Sequence, residues 1–475
     1  MASTSVIAHG HDDPLTRAIM PPAGESAEER ASRTQEEALA RQRSHEIDEQ
    51  LKKGHKDKKE LVKILLLGQA ESGKSTTLKN MKLVYAKESF SKERAYWKPI
   101  IHFNILKHVL LIIRLLEEAI EAQPEDDASR SSTPAEEESA LLSREGFTTE
   151  HRILCMQLKP LIDLEASMRK QLLQHRELRN GEEIFVQSHF AWAKHFYSGQ
   201  HRSQQQRLSK GDALRTEMGT VLNASCRNIT ALWSDPKVRK LLDEQALRLE
   251  HEAGFFLDEL ERVTELNYEP TDLDVCKARL RTVGVTETHF RVSSMLSQVD
   301  WVVYDVGGAR TQRATWKPYF DDANAIVFLA PLSGFNQKLE EEPRINRLED
   351  SLLLWRDISS SPLLTSVHLI LFLNKVDLLQ KKLEQGIEFG SYFKHYAGGN
   401  DVEAVCKYMK KKFVAVYKDA QTKITTATTH AKSSPPPRLV RIFLTSVLDI
   451  QSTAQIIVQV QNSILSDALN RTDLL

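Results

Sequence analysis

The fold of this chain is decided by one stretch of its sequence, Gly68-Gln69-Ala70-Glu71-Ser72-Gly73-Lys74-Ser75. The stretch follows a mostly apolar run, Val62 to Leu67, and leads into a segment, Thr76 to Met81, that is expected to be helical. The predicted order is therefore strand, glycine loop, helix, with the spacing G-x-x-x-x-G-K-S. The alternative is an ordinary tight turn that happens to contain a lysine, and the flanking strand and helix make it the weaker interpretation.

The residue types of this loop suit the phosphates of a nucleotide. Glycines permit turns that a side chain would block, so successive backbone N–H groups can point at phosphate oxygens, and the helix N-terminus adds partial positive charge. Lys74 can reach the outer phosphates, and the Ser75 hydroxyl can bind Mg²⁺. The predicted nucleotide-binding residues of this loop are Gly68, Glu71, Ser72, Gly73, Lys74, Ser75 and Thr76.

Two further motifs follow later in the chain, each at the end of an apolar run. In Asp305-Val306-Gly307-Gly308, a strand-terminal carboxylate can anchor Mg²⁺ and a glycine N–H can approach the outermost phosphate. The other motif is Asn374-Lys375-Val376-Asp377. The Asp377 carboxylate can accept from N1 and the exocyclic amine of guanine, whereas adenine presents the opposite pattern. This motif therefore favours a guanine nucleotide over ATP.

Length and composition indicate a soluble protein of several domains. The 475 residues are 41% apolar and 27% charged, enough for two or three domains with their own cores. The net charge of −1 gives no electrostatic attraction to nucleic acid, so no nucleic-acid partner is expected. The four cysteines are scattered without the spacing of a metal site or a disulfide framework. The most apolar run, Ile105 to Leu116, is short and interrupted by charge, which predicts a buried helix rather than a membrane span.

The pattern of apolar runs predicts how the chain divides into domains. Residues 60–90 and 268–475 are expected to form one α/β domain with a mostly parallel sheet, and residues 91–267 an all-helical domain inserted into it. After the first strand, the predicted strands are Ser297–Asp305, Ala323–Leu332, Ser366–Asn374 and Leu439–Ser446, with Thr288–Ser294 as an antiparallel edge strand. The predicted helices of this part are Asp401–Tyr417 and Gln451–Asn470, with a loop at Lys423–Arg438.

The predicted helical domain has less regular parts. Periodic apolar positions predict a long core helix that includes Ile101 to Leu106, and amphipathic helices around Leu222–Trp233 and Val238–Leu242. An acidic, low-complexity insertion near residues 121–146 is predicted to be disordered. Pro160–Gln206 is predicted to add helix at an unassigned position.

The N-terminal region predicts how the chain meets a membrane. Residues 1–26 are small and polar and are predicted to be disordered, whereas residues 27–59 carry charges at steps of four that predict a solvated helix. A charged tail without structure is the alternative. Ala2 stands where N-myristoylation requires glycine, and the first cysteine is Cys155, so no N-terminal acylation is expected.

The three motifs and the inserted helical domain together resemble the α subunit of heterotrimeric G proteins, as a divergent, fungal-type member. The similarity extends from about Glu28 to the C-terminus, apart from the acidic insertion and part of Pro160–Gln206. Asp274 to Gly284 resembles that family's switch I, Asp305 to Trp316 its switch II, and Leu444 to Val447 its last guanine-contacting loop. The resemblance implies a Ras-like GTPase domain interrupted by an all-helical domain.

The resemblance also implies roles for single residues. Arg279 would stabilise the transferring phosphoryl group, and Thr282 would bind Mg²⁺ beside Ser75, with Asp305 acting through water. Glu71 is expected to hold Arg279 by an ion pair, and a solvated surface charge is the alternative for Arg279. The nucleotide contacts implied outside the phosphate loop are Arg279, Thr282, Gly308, Asn374, Lys375, Asp377 and Val447.

Three departures from the family pattern bear on activity. Ala70 replaces a glycine of the phosphate loop. Ala309 replaces the glutamine that orients the attacking water, and because a methyl group cannot hydrogen-bond to water, slow hydrolysis is expected. The last guanine loop is Thr-Ser-Val-Leu instead of Thr-Cys-Ala-Thr, and the N–H of Val447 can still donate.

The resemblance implies a GTP/GDP switch that couples a G-protein-coupled receptor and a βγ dimer to an unknown effector, with Mg²⁺ as cofactor. Helix 27–59 and switch II are expected to bind βγ, and Leu469 to Leu475 to contact the receptor. The chain is expected to be cytoplasmic and peripheral at the inner face of the plasma membrane, held there by partners. A GTP-binding signalling scaffold without meaningful hydrolysis is the alternative. A kinase or ATPase is a third possibility, which Asp377 disfavours.

Overall fold

The computed structural model describes residues 61–122, 147–173, 185–186, 210–245, 247–282, 284–293, 298–339, 341–427 and 440–471, with single positions between 26 and 46. The chain divides into two compact units, Met1–Leu61 and Val62–Leu475. In the first unit, the described positions from Ala31 to Glu46 are helical, and the Gln42 side chain donates to Glu46 at 3.2 Å. These positions agree with the predicted solvated helix. The other positions of that helix, and residues 1–25, lie outside the described residues.

A six-stranded sheet lies at the centre of the second unit. The strands of the chain are β1 (Leu61–Gly68), β2 (Phe185–Val186), β3 (Arg281–Thr282), β4 (Val285–Ser293), β5 (Gln298–Val306), β6 (Ala325–Pro331), β7 (His368–Asn374) and β8 (Val440–Leu444). The sheet has the order β4-β5-β1-β6-β7-β8. The pairs β1–β6, β6–β7 and β7–β8 are parallel, and β4 is an antiparallel edge strand against β5. The predicted α/β fold with a mostly parallel sheet is confirmed.

The burial of the strands explains why their positions could be predicted. Every residue of β6 and β7 is buried, as expected for strands covered on both faces. The observed strand ends lie close to the predicted ones, except that β4 begins earlier than Thr288. It does so because its pairing with β5 continues as far as Val285, which lies opposite Val306.

Helices make up most of the remaining described chain. They are α1 (Lys74–Tyr85), α2 (Lys87–Glu121), α3 (Thr149–Leu158), α4 (Pro160–Leu173), α5 (Lys210–Ser234), α6 (Pro236–Glu244), α7 (Leu260–Thr264), α8 (Asp272–Lys277), α9 (Arg347–Ser359), α10 (Val376–Glu384), α11 (Val402–Ala427) and α12 (Ile450–Arg471). The predicted core helix is α2, which starts before the predicted segment because Phe90 and Trp97 already pack in the core. By length and composition α2 could cross a membrane, but 72% of its most apolar window is buried inside the fold.

Two of the hydrophobic clusters in the described part of the second unit bear on the position of the site. One joins the helices from α2 to α7 and extends to Val275 and Ala278, just before Arg279. The other joins the sheet to α1 and α12, with Leu78 and Ile457 among its members. The helical domain therefore has its own core. The domain boundaries given above stay predictions.

Two local predictions are corrected. The region Pro160–Gln206 is not helical throughout, because Phe185–Val186 forms a short parallel strand beside Arg281–Thr282. A two-residue strand carries no periodic signal in the sequence. Helix α11 does not end near Tyr417 but continues to Ala427, supported by an ion pair from Lys423 to Asp419 at 2.8 Å and by burial of Ala420. The rest of the predicted loop, residues 428–438, and most of the acidic insertion lie outside the described residues.

Candidate nucleotide site

The phosphate loop lies between β1 and α1, as its sequence predicts. Gly73 has φ +105 and directly precedes α1, and Gly68 has φ +142. A Cβ at Gly73 would collide with the side chain of Asn374, so the loop can approach the guanine motif only with glycine at this position. Lys74 is 6% exposed, and its ammonium donates to the carbonyl oxygens of Gly68 at 2.9 Å and Gln69 at 2.6 Å. The lysine is thereby folded back over the loop.

The predicted magnesium ligands Ser75 and Asp305 meet at the ends of neighbouring elements. The Ser75 hydroxyl donates to Asp305 Oδ2 at 2.6 Å, and Asp305 is fully buried. A hydroxyl and a carboxylate are the hard oxygen donors that Mg²⁺ prefers, so these residues fit that ion. For Thr282, the structure describes the backbone in β3, beside β2. Thr282 remains a predicted ligand.

Switch II packs directly against the phosphate loop. A Cβ at Gly308 would contact Lys74 Nζ and the backbone of Gln69 and Ala70. Ala309 follows and is 5% exposed, and a 3₁₀ helix, Arg310–Tyr319, begins after it. The close packing at Gly308 explains why a glycine is needed there.

A buried network under the phosphate loop was not predicted. The Gln69 amide donates to the carbonyl of Arg347 at 2.7 Å and to Asp350 Oδ2 at 2.5 Å. The same carboxylate oxygen accepts from Arg313 of switch II at 2.6 Å. Asp350 therefore links the loop, switch II and α9. These residues lie far apart in the sequence, and nothing in their local spacing indicates the network.

Glu71 holds two arginines at the edge of the cavity. It forms the predicted ion pair with Arg279, and Arg347 pairs with its other oxygen at 3.1 Å while donating to the carbonyl of Ala70 at 2.7 Å. Burial alone would raise the pKa of Glu71, but the charges of Arg279, Arg347 and Lys375 outweigh it and hold that pKa well below its usual value. Glu71 is therefore ionised at neutral pH, and Arg347 is a second partner that the sequence did not reveal.

The guanine motif joins the phosphate loop to the last loop of the sheet. Asn374 is fully buried, donates to the carbonyl of Ser72 at 2.7 Å and accepts from the Thr445 hydroxyl at 3.1 Å. The Val447 N–H donates to the same Asn374 oxygen at 3.3 Å. Burial lowers the pKa of Lys375 to about 8. Asp377 lies in the first turn of α10 and lines the cavity.

One cavity brings all of these motifs together. Its volume is about 650 Å³, within the range of small-molecule sites. Its lining includes Glu71, Lys74, Ser75 and Thr76, Arg279, Gly308 and Ala309, Gln312, Lys375 and Asp377, and Val447. The lining combines residues that suit phosphates, such as Lys74 and Ser75, with Asp377, which suits the edge of a base. The arrangement therefore suits a nucleotide that is recognised at both phosphate and base.

Comparisons with known proteins point to one family. A family model described as G-protein alpha subunit matches residues 41–464. The chain is similar to the guanine nucleotide-binding protein alpha-4 subunit of Mycosarcoma maydis, with 29% identity over 97% of this chain and 95% of that protein. It is also similar to the alpha-2 subunit of Neurospora crassa, with 30% identity over 86% and 93%, and to a guanine nucleotide-binding protein subunit alpha of Emericella nidulans, with 28% over 87% and 95%.

Proposed function

The chain belongs to the G-protein alpha subunit family, whose members bind guanine nucleotides, hydrolyse GTP and act in signalling, and from this premise we propose that it is a GTP/GDP switch with slow hydrolysis. The observation that carries the proposal is the cavity in which the phosphate loop, switch II and the guanine motif meet. No single motif is specific, but their convergence in one cavity is.

Guanine selectivity is assigned to Asp377. Asp377 lies in the first turn of α10 and lines the cavity, as Lys375 does. It would accept from the N1–H and amine of guanine, a pair of donors that adenine does not present. Asn374 supports this arrangement, because its side chain donates a hydrogen bond to the carbonyl of Ser72 in the phosphate loop.

Mg²⁺ would be held by Ser75 and Thr282 directly and by Asp305 through water. When bound, the ion neutralises charge on the β- and γ-phosphate oxygens. The contact between Ser75 and Asp305 supports the first part of this assignment. Lys74 would help to keep the nucleotide in place. A lysine at the N-terminus of a helix can reach either the carbonyl oxygens of the loop or the phosphates of a bound nucleotide, so its ammonium can turn from the first to the second.

Arg279 is assigned the neutralisation of charge on the transferring phosphoryl group, and Glu71 orients its guanidinium. At the position of the water-orienting glutamine stands Ala309, so slow hydrolysis is part of the proposal. The switch itself would act through Thr282 and Gly308, which order switch I and switch II while the γ-phosphate is present.

The partners are inferred from the family premise. Members of the family pair with βγ dimers and receptors, and for this chain helix 27–59 with switch II is proposed for βγ and Leu469 to Leu475 for the receptor. The effector is unknown. The chain is proposed to be cytoplasmic and peripheral at the inner face of the plasma membrane, held there by these partners.

A second candidate function is a GTP-binding signalling scaffold without meaningful hydrolysis. The specific observation in its favour is that Ala309 occupies the position of the water-orienting glutamine, so that a methyl group stands there. Single-turnover hydrolysis of bound GTP separates the two functions, because a scaffold would release GTP unchanged.

The decisive experiment measures which nucleotide the purified chain binds and whether it is hydrolysed. We expect GTP and GDP to bind far more tightly than ATP. Asp377→Asn should shift the preference from guanine to xanthine nucleotides, since the amide can donate to the carbonyl that xanthine carries. Full GTP selectivity in this variant would refute the assignment of Asp377, and ATP preference in the unmodified chain would refute the proposed function.

A further inference from the structure

The backbone of Arg279 is held by a side chain of the helical domain. Asn104 lies on α2, between Phe103 and Ile105 of the helical core, and is 5% exposed. Its Oδ1 accepts from the N–H of Arg279 at 2.8 Å, and its Nδ2 donates to the carbonyl of Arg279 at 3.0 Å. One carboxamide thus satisfies both backbone groups of the same residue, as a neighbouring strand would.

A glycine makes this contact possible. Gly254 has φ +82, and its N–H donates to the carbonyl of Lys277 at 3.0 Å. A Cβ at Gly254 would lie 2.7 Å from Asn104 Oδ1 and 2.9 Å from Arg279 Cβ. Any larger residue would therefore push apart the pair that Asn104 and Arg279 form.

The segment before Arg279 is fixed from the other side. Lys79 of α1 donates to the carbonyls of Val275 at 2.8 Å and Ala278 at 2.9 Å. The α/β domain therefore anchors residues 275–278, and the helical domain anchors Arg279 itself. The Arg279 side chain then crosses to Glu71 in the phosphate loop.

We propose that Asn104 is a positioning residue for GTP hydrolysis, which sets the direction in which Arg279 leaves the backbone and so places its guanidinium at the phosphates. The inference rests on the role of Arg279 in the proposed function. A long side chain can be displaced by small changes at its Cα, and a misplacement of about 1 Å can cost about 10²-fold in rate. Asn104 itself does not line the cavity, whereas Arg279, whose backbone it holds, does. Its influence on the reaction is therefore assigned to Arg279.

The test compares single-turnover GTP hydrolysis and GTP affinity in full-length variants. Asn104→Ala should lower the hydrolysis rate by roughly 10- to 100-fold, with GTP affinity changed by less than about threefold. Asn104→Asp keeps an acceptor for the Arg279 N–H but places a buried carboxylate oxygen against the Arg279 carbonyl, so a decrease at least as large is expected. Asn223→Ala is the matched control, since it removes an asparagine hydrogen bond to the carbonyl of Thr264 elsewhere in the helical domain.

A double-mutant cycle separates positioning from a merely structural role. In an Arg279→Ala background, Asn104→Ala should lower the rate no further, because the group that it positions is gone. An equal decrease in both backgrounds, or an Asn104→Ala rate within about twofold of the unmodified chain, would overturn the proposal. If Arg279→Ala alone left the rate unchanged, the assignment of the arginine would fail first, and the inference with it.

A second variant protects the test against misfolding. If thermal denaturation shows that Asn104→Ala does not fold, Gly254→Ala displaces the same pair from the other side. It should lower hydrolysis in the unmodified chain and not in the Arg279→Ala background. A decrease of the same factor in both backgrounds would contradict the proposal.

Discussion

The side-chain amide of Asn374 donates to the carbonyl oxygen of Ser72 at 2.7 Å, across 302 residues of sequence. The carboxamide oxygen of Asn374 accepts from Thr445 and Val447 at the same time. One fully buried side chain therefore ties the phosphate loop, the guanine motif and the last loop together. We therefore expect the shape of the cavity between them to depend on this contact.

Asn374→Ala should destabilise the fold and weaken GDP and GTP binding alike. It leaves buried partners without hydrogen bonds, which costs about 1–3 kcal/mol for each such group. Chemical denaturation and nucleotide titration measure the two effects. Thr445→Val removes only one of the contacts and is the matched control. A variant with unchanged GDP affinity would show that the contact does not shape the site.

The two proposed Mg²⁺ ligands should respond differently to substitution. Ser75→Ala should weaken Mg²⁺ and GTP binding together, by roughly tenfold or more, about 1.4 kcal/mol, because an anionic site loses a ligand. Thr282→Ala should leave GDP binding nearly intact and abolish the activated conformation, since switch I matters mainly with GTP bound. Mg²⁺-dependent nucleotide release and limited proteolysis report on these effects. Equal loss of GDP and GTP in the Thr282 variant would place that residue elsewhere.

Asn374 and Ser72 each belong to a motif that could be predicted from the sequence. Each motif is contiguous, so its chemistry is visible in the sequence, and buried parallel strands bring the motifs to one edge of a sheet. The ion pair of Glu71 with Arg279 followed from the family resemblance. The strands of the sheet were found because runs such as β6 are apolar throughout.

The missed features depend on contacts between distant residues. Arg347 and Asp350 lie on α9, and only the packing of α9 against the phosphate loop brings them to Glu71 and Gln69. Asn104 is one of several polar residues in a long helix, close to His102 and Lys107, and nothing in the local sequence indicates its partner. The strand β2 is too short to produce a pattern. Sequence spacing describes neighbours along the chain and not those that folding creates.

Lys382 should make stability depend on pH. Lys382 is 3% exposed, and its ammonium donates to the carbonyl of Ser333 at 2.8 Å and to Asn336 at 2.7 Å. Burial, followed by the charges of Lys375 and Arg347, lowers its pKa from 10.5 to about 7. Between these values the unfolded chain binds more protons than the folded one. The free energy of unfolding should therefore rise with pH, by up to about 1.4 kcal/mol per pH unit from this group.

Lys382→Met should reduce this rise between pH 7 and pH 9, as measured by chemical denaturation at each pH. Lys79 and Lys375, whose pKa values burial lowers to about 8, act in the same direction in both proteins and cancel in the comparison. His251, whose pKa burial and Lys382 lower, titrates below this window. Lys381→Met at the exposed neighbouring position is the control. An unchanged pH slope in Lys382→Met would contradict the prediction.

The N-terminal helix should be required for βγ binding. A chain that lacks residues 1–58 keeps the phosphate loop and the whole sheet core, so it should still bind GDP. Its capture of a βγ dimer in the GDP state should be lost or greatly reduced in a pull-down. GDP binding serves as the control for folding. Undiminished βγ capture would show that switch II alone makes the contact.

The intrinsic hydrolysis rate should be low because of Ala309. A complete site of this class hydrolyses GTP at a rate on the order of 10⁻² s⁻¹, with one group to neutralise charge and another to orient water. Here Arg279 can supply the first, whereas the methyl group of Ala309 cannot orient water. We expect single-turnover hydrolysis well below that rate, and Arg279→Ala should lower whatever rate remains.

Restoring the glutamine tests this explanation. Ala309→Gln should accelerate hydrolysis if its side chain finds room, but Ala309 is only 5% exposed, and the adjacent Gly308 packs against Ala70. Ala70 also lines the cavity beside Ala309, so removing its methyl group creates space in the cavity, and Ala309→Gln with Ala70→Gly should succeed where the single change fails. Ala70→Gly alone is the control and should not accelerate hydrolysis.

If the unmodified chain already hydrolysed GTP as fast as a complete site, another residue must orient the water. Gln312 lines the same cavity, and its N–H donates to the carbonyl of Ala309 at 2.9 Å, so Gln312→Ala would then be the variant that abolishes the activity.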